Sequence, residues 1–118
     1  MTNLEKAQAI IKVLDEKKAE NIMLIKTEDK TIIADYFVIA TGTSTTHVKS
    51  LCDEVEFRLG EKNIIPLHIE GRSTGWILLD FNDVLLHVFT KDQREFYDIE
   101  RLWSDAEVID ISDILTED

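Results

Sequence analysis

The chain predicts an α/β domain: a mixed five-stranded sheet flanked by helices, in the order α-β-β-α-β-β-β-α. Three observations point there. Apolar residues recur at helical spacing near the start, after residue 44 and after residue 91. Between these stretches lie short apolar runs of strand character. The strand–helix–strand unit from residue 34 to 69 is long enough for a right-handed crossover.

Thr2-Asn3-Leu4-Glu5 is a capping-box pattern. Leu4, Ala7, Ile11 and Leu14 follow at helical spacing, Ile10 and Val13 widen the stripe, and Lys17 and Lys18 suit the negative end of a helix dipole. The first helix is expected over residues 3–19. Residues 21–26 form a strand, and a polar connection from Thr27 to Thr31 leads to a second, apolar strand over 34–41, which belongs in the middle of the sheet. Gly42-Thr43-Ser44-Thr45-Thr46 then marks a helix N-terminus. Val48, Leu51, Cys52, Val55 and Leu59 share one face of that helix, with Gly60 as its C′ residue. Residues 63–69, which hold the single proline, Pro66, form an edge strand. Residues 70–75 are a loop.

Residues 75–90 organise the rest. Two apolar runs flank Asn82-Asp83, both of which tolerate positive φ and suit a tight hairpin turn. In the first run Trp76, Leu78 and Asp80 share one face; in the second Leu85, His87 and Phe89 do. Neither run alternates cleanly with polar residues, so both faces should be covered, one by the core and one by a helix or a partner. A helix is expected over residues 91–103, with Phe96, Ile99, Leu102 and Trp103 turned inward, Tyr97 off that stripe, and Arg94 and Glu95 on the outer side. The reading is one domain over residues 1–106, followed by an acidic tail over 107–118 whose short apolar pieces add a short element or hang free.

With 118 residues, 44% of them hydrophobic, the chain can bury a core without staples. Its single cysteine, Cys52, excludes a disulfide framework and a Cys-based metal site. No run is long and apolar enough to span a membrane, and the first residues lack a signal-peptide pattern, so a cytoplasmic protein is expected. Twenty-four acidic residues against 13 basic ones leave a net charge of −11. Such a surface repels phosphate backbones and argues against direct nucleic-acid contact. It favours a basic protein partner, or serves solubility alone.

Several positions bear on chemistry. Gly42-Thr43-Ser44 offers backbone N–H groups to an anion, but with no P-loop lysine and no GxGxxG, helix capping is the better reading. Nucleotidyl transfer would need two carboxylates converging on metal ions. Asp80 and Asp83 are separated by the hairpin turn, and Asp35 and Glu70 come from distant segments, so neither catalytic residues nor a metal site nor a cofactor is assigned. His47 reads as a first-turn surface residue and His68 as half exposed on an edge. His87, among apolar neighbours, is either a core histidine satisfied by a backbone carbonyl, Asp80 or Glu70, or part of an interface. Cys52 reads as a packed small hydrophobe. Trp76, which opens a strand beside the loop, is the sharpest binding candidate, with core packing as its alternative.

Three blocks, read together, carry a resemblance. They are Asp35-Tyr36-Phe37-Val38-Ile39-Ala40-Thr41-Gly42-Thr43-Ser44 with His47-Val48; Glu70-Gly71, then Trp76-Ile77-Leu78-Leu79-Asp80 and His87-Val88-Phe89; and Arg94-Glu95-Phe96-Tyr97-Asp98-Ile99-Glu100-Arg101-Leu102-Trp103. Their order and spacing resemble the ribosomal silencing factor family, also called Iojap-like, from residue 4 to about 106. The resemblance implies a nucleotidyltransferase-like topology without the catalytic acids. It implies a cytoplasmic protein, not an enzyme, that binds the large ribosomal subunit through its protein fourteen and blocks joining of the small subunit, repressing translation. It also implies homodimers and, in organelle relatives, a role in large-subunit assembly. Carried over by position, the partner-binding residues are Trp76, Leu78, His87 and Phe89, with Glu70, Asp80 and Tyr97 as additions. Asn82 stands where the family often has Gly in the hairpin turn. The rival readings are a large-subunit assembly factor and a small nucleotidyltransferase using Ser44 and scattered carboxylates.

Overall fold

A computed structural model of the protein describes residues 1–72 and 74–115. Ser73 of the expected loop and residues 116–118 of the tail lie outside it. The elements are α1 (Asn3–Glu16), β1 (Glu20–Lys26), β2 (Tyr36–Gly42), α2 (Thr45–Gly60), β3 (His68–Glu70), β4 (Trp76–Asp80), β5 (Val84–Thr90), α3 (Lys91–Tyr97), α4 (Ile99–Leu102) and β6 (Glu107–Ile109). Among the described residues the strands form one sheet in the order β3-β4-β5-β2-β1-β6. β2 and β5 are parallel at its centre, and the other pairs are antiparallel.

The sheet therefore has six strands, not five. The sixth comes from the tail: Glu107, Val108 and Ile109 pair with Lys26, Ile25 and Leu24. An edge of β1 left open would expose a row of unpaired backbone groups, and β6 covers it. Ile111 is buried, and Ile114 and Leu115 pack against the same core, so the tail's apolar pieces have a place in the fold.

Local chemistry accounts for most of the boundaries. The Glu5 N–H donates to Thr2 Oγ1 (3.1 Å) and the Thr2 N–H to Glu5 Oε1 (2.8 Å), closing the capping box at α1. The helix stops at Glu16, short of the expected residue 19, because Lys18 turns left-handed at φ 68°. Ser44 caps α2 by accepting from the His47 N–H. Gly60 is not its C′ residue: it is still helical, and the left-handed position falls at Asn63. β3 is shorter than expected, since Pro66 has no N–H and pairing starts only at Leu67, whose N–H donates to Asp80 O. It is an edge strand, as its proline implied. The hairpin turn forms where expected, with Asn82 at φ 77° and the Phe81 N–H donating to Val84 O.

The expected helix over 91–103 is two helices. Asp98 sits in the left-handed region (φ 44°, ψ 52°) between them. The break turns the two pieces relative to one another, so Ile99 is buried and Trp103 packs on the sheet, while Phe96 and Leu102 point outward.

α1 and α2 cover one face of the sheet over a core that includes Ile10, Ile11, Leu14, Val55, Leu59, Ile77, Leu79, Phe81, Leu86 and Val88. A smaller cluster on the opposite face holds Ile25, Ala34, Phe37, Ile39, Leu85, Phe89 and Ile99.

Candidate functional site

Side chains at opposed register positions share a face. Across β3, β4, β5 and β2 this places three rows on the side away from α1 and α2: His68, Asp80, Leu85 and Phe37; Glu70, Leu78, His87 and Ile39; and Trp76, Phe89 and Thr41. Ile99, Trp103 and Ala106 cover the part over β2 and β1. Over β4 and β3 the face stays open. His68 and Glu70 are exposed, and Trp76, Leu78 and Asp80 are half-buried. Glu70, Gly71, Trp76 and Leu78 line a depression of about 270 Å³ there.

Trp76 is the centre of this corner. Its ring stacks on Phe89 (centroids 5.0 Å apart, 25° between planes) and meets Tyr97 at 4.6 Å. Its indole N–H donates to Nδ1 of His87 at 3.2 Å. The backbone is held as firmly. The Trp76 N–H donates to Thr74 Oγ1, and that hydroxyl lies 2.8 Å from both the Gly71 and Trp76 carbonyls. Gly71 is left-handed at φ 82°, and a Cβ there would come within 2.1 Å of the Trp76 carbonyl oxygen. Only glycine fits. Arg72 then ties the loop down to α2 through Asp53 (2.9 Å) and Glu56 (2.8 Å).

Five of the seven expected binding residues lie at the surface: Trp76, Leu78 and Asp80 half-buried, Glu70 and Tyr97 exposed. Two do not. Phe89 has no exposed surface and is the floor beneath Trp76, not a contact. His87 is 6% exposed, because the Trp76, Phe37 and Phe89 rings surround it. Burial lowers its pKa from 6.5 to about 4, so the imidazole is neutral at pH 7. Its partner is neither a backbone carbonyl nor Asp80 nor Glu70 but the Trp76 indole.

Other expectations shift too. Arg94 points inward: Nη1 donates to Asn21 O (2.6 Å) and Thr41 Oγ1 (2.8 Å), and Nε to Glu100 (2.9 Å). His47 is not a free surface residue. It accepts from the Thr43 N–H on Nδ1, and Nε2 lies 3.0 Å from Lys17 O, joining the end of α1 to the start of α2. Spacing gave no sign of either bond. The exposed aromatic beside the site, Phe96, was expected inside; it packs edge-on against Tyr97 at 5.1 Å. Cys52 is buried as read, its thiol pushed up to about 12.

At Gly42 a Cβ would sit 2.8 Å from Val48 Cγ2, so α2 closes directly over the turn, and Ser44 caps it. Among the described residues no group of three or more His, Cys, Asp or Glu side chains is placed to hold a metal ion, and no helix is long and apolar enough to cross a membrane.

The family model described as "Ribosomal silencing factor during starvation" matches residues 1–118. The chain belongs to the ribosomal silencing factor family. The silencing factor RsfS of Halalkalibacterium halodurans is 33% identical over 98% of this chain and 100% of its own, and that of Bacillus subtilis is 38% identical over 82% and 83%. A crystal structure of a protein from Chromobacterium violaceum has the same fold, with a TM-score of 0.86 at 32% identity over 88% of both chains. A mouse relative named "Mitochondrial assembly of ribosomal large subunit protein 1" is 28% identical over 80% of this chain and 43% of its own. In this member of the family the open corner around Trp76 brings Tyr97 against the indole and Glu70 to the rim of the same depression.

Proposed function

We propose that this protein docks on the large ribosomal subunit through the open corner of its sheet and blocks joining of the small subunit, lowering translation. It does so in the cytoplasm by occupying surface, without chemistry of its own. The partner is the basic large-subunit protein fourteen. Trp76, Leu78 and Tyr97 supply the apolar contact, and Glu70 and Asp80 meet cations at the rim. Phe89 and His87 support Trp76 from beneath.

One observation carries the reading: a half-buried tryptophan held on several sides, lining an apolar depression with Glu70 at its rim. Buried-aromatic anchors of this kind dominate binding energy, and a net charge of −11 steers the chain toward a basic partner. The test is cosedimentation with purified large subunits. Trp76→Ala should fold and fail to pellet with them, since such a truncation costs about 2 kcal/mol or more. A folded variant that pelleted as fully as the parent would overturn the assigned surface.

The mouse relative's name favours a second reading, assembly of the large subunit. It would use the same surface on immature particles; accumulation of large-subunit precursors in cells lacking the protein separates the two. Saturable, magnesium-dependent nucleotide binding would revive the nucleotidyltransferase reading. A homodimer is part of the proposal, tested by sedimentation equilibrium.

A further inference from the structure

We propose that His87 is a positioning residue for docking: its Nδ1 accepts the Trp76 indole N–H and so sets the angle at which the ring faces a partner. This rests on the reading that Trp76 docks.

The argument starts from what the imidazole costs. Nδ1 accepts, so the proton of the neutral ring must be on Nε2. Nε2 is buried and has no hydrogen-bond partner among the described residues. A buried donor left unpaired is unfavourable, and a leucine of similar size would avoid it. The ring lies against Phe37 at 5.0 Å and opposite Leu78 in the register, a setting that suits an apolar residue. Among the described residues, the one polar contact the imidazole makes is with Trp76.

That contact supplies something the neighbouring rings do not. Stacking on Phe89 and packing against Tyr97 hold a face of the indole but do not fix which edge carries the N–H, since rotation about χ2 can tilt or flip the ring. A hydrogen bond at the ring's one N–H removes that freedom. An anchor held in its bound orientation loses less entropy on binding.

The test compares two variants of the full chain. His87→Leu keeps bulk and removes the acceptor. His87→Asn keeps an acceptor, since Oδ1 is attached as Nδ1 is, but loses bulk. Three measurements are taken: the Trp76 indole N–H resonance (assigned with Trp76→Phe), the thermal midpoint and cosedimentation with large subunits. His87→Leu should move the indole resonance upfield, hold or raise the midpoint, and weaken association by about tenfold. His87→Asn should lower the midpoint yet keep the resonance downfield and association within about threefold of the parent. A purely structural role predicts the reverse ranking, association following the midpoint. His87→Leu binding like the parent, or His87→Asn binding as weakly as His87→Leu, overturns the proposal. If the parent itself does not pellet with subunits, the docking reading fails. The resonance then decides alone whether His87 orients the indole: unchanged in His87→Leu, it does not.

Discussion

Arg94 on α3 donates to the backbone carbonyl of Asn21 at the start of β1, 2.6 Å away and 73 residues back in the chain. The same guanidinium holds Thr41 at the end of β2 and Glu100 in α4. It thereby fixes both helices that follow the hairpin, and with them Tyr97, the wall beside Trp76.

Arg94→Met should lower stability by about 2 kcal/mol, the scale of losing charge-assisted hydrogen bonds while leaving a carboxylate behind. Urea titration measures this. Arg94→Lys should recover only part, because an ammonium lacks the planar fork that serves three acceptors. Loosening of α3 should also quench or shift Trp76 fluorescence in both variants. Unaltered emission from a destabilised Arg94→Met would separate the tie from the site.

Gly71→Ala should cost roughly 2 kcal/mol or more, because the added methyl meets the Trp76 carbonyl in a backbone conformation that alanine disfavours. The loop must move, carrying Thr74 and its bond to the Trp76 N–H with it. Subunit association should fall further than stability alone accounts for. Equal binding by the folded fraction would show that the loop does not set the position of Trp76.

Where a residue's role was set by its neighbours in sequence, it was legible. Thr2 and Glu5 announce the start of α1, Asn82 the hairpin, and strand alternation puts Trp76, Leu78, His87 and Phe89 on one face. How deep each lies on that face is decided laterally. Trp76 folds over Phe89, and nothing in a period of two says which of an opposed pair will be on top. The break at Asp98 was hidden for a related reason. Phe96, Ile99 and Leu102 fit a continuous helix, and the break is accompanied by Arg94's bonds to distant strands. β6 is only three residues long and needs the free edge of β1 beside it.

Phe89→Ala should be a stability variant first. The side chain is wholly buried, so its loss should cost about 3 kcal/mol or more. Phe89→Leu, which fills most of the space, should cost less and bind subunits more weakly than its stability implies, since the surface under the Trp76 ring changes shape. Denaturation and cosedimentation on the same samples give both numbers. Binding that simply tracks stability would make Phe89 an ordinary core residue.

The buried imidazole of His87 makes stability depend on pH, and the sign follows from its shift. Folding lowers its pKa from 6.5 to about 4. Between those values the unfolded chain binds a proton that the folded chain does not, so stability falls as pH drops from 6.5 and the loss is complete below about 4. A shift of this size corresponds to roughly 3 kcal/mol. Other groups titrate in acid too. Asp53, held low by hydrogen bonds from Lys49 and Arg72, also loses stabilisation as pH falls, but at the lower pH where carboxylates protonate. The comparison with His87→Leu removes them. Urea titrations at pH 7 and near pH 4.5 should show the parent losing more stability than His87→Leu, by roughly 2 kcal/mol. Parallel losses in the two proteins would mean that the imidazole takes up its proton in the folded state as readily as in the unfolded one.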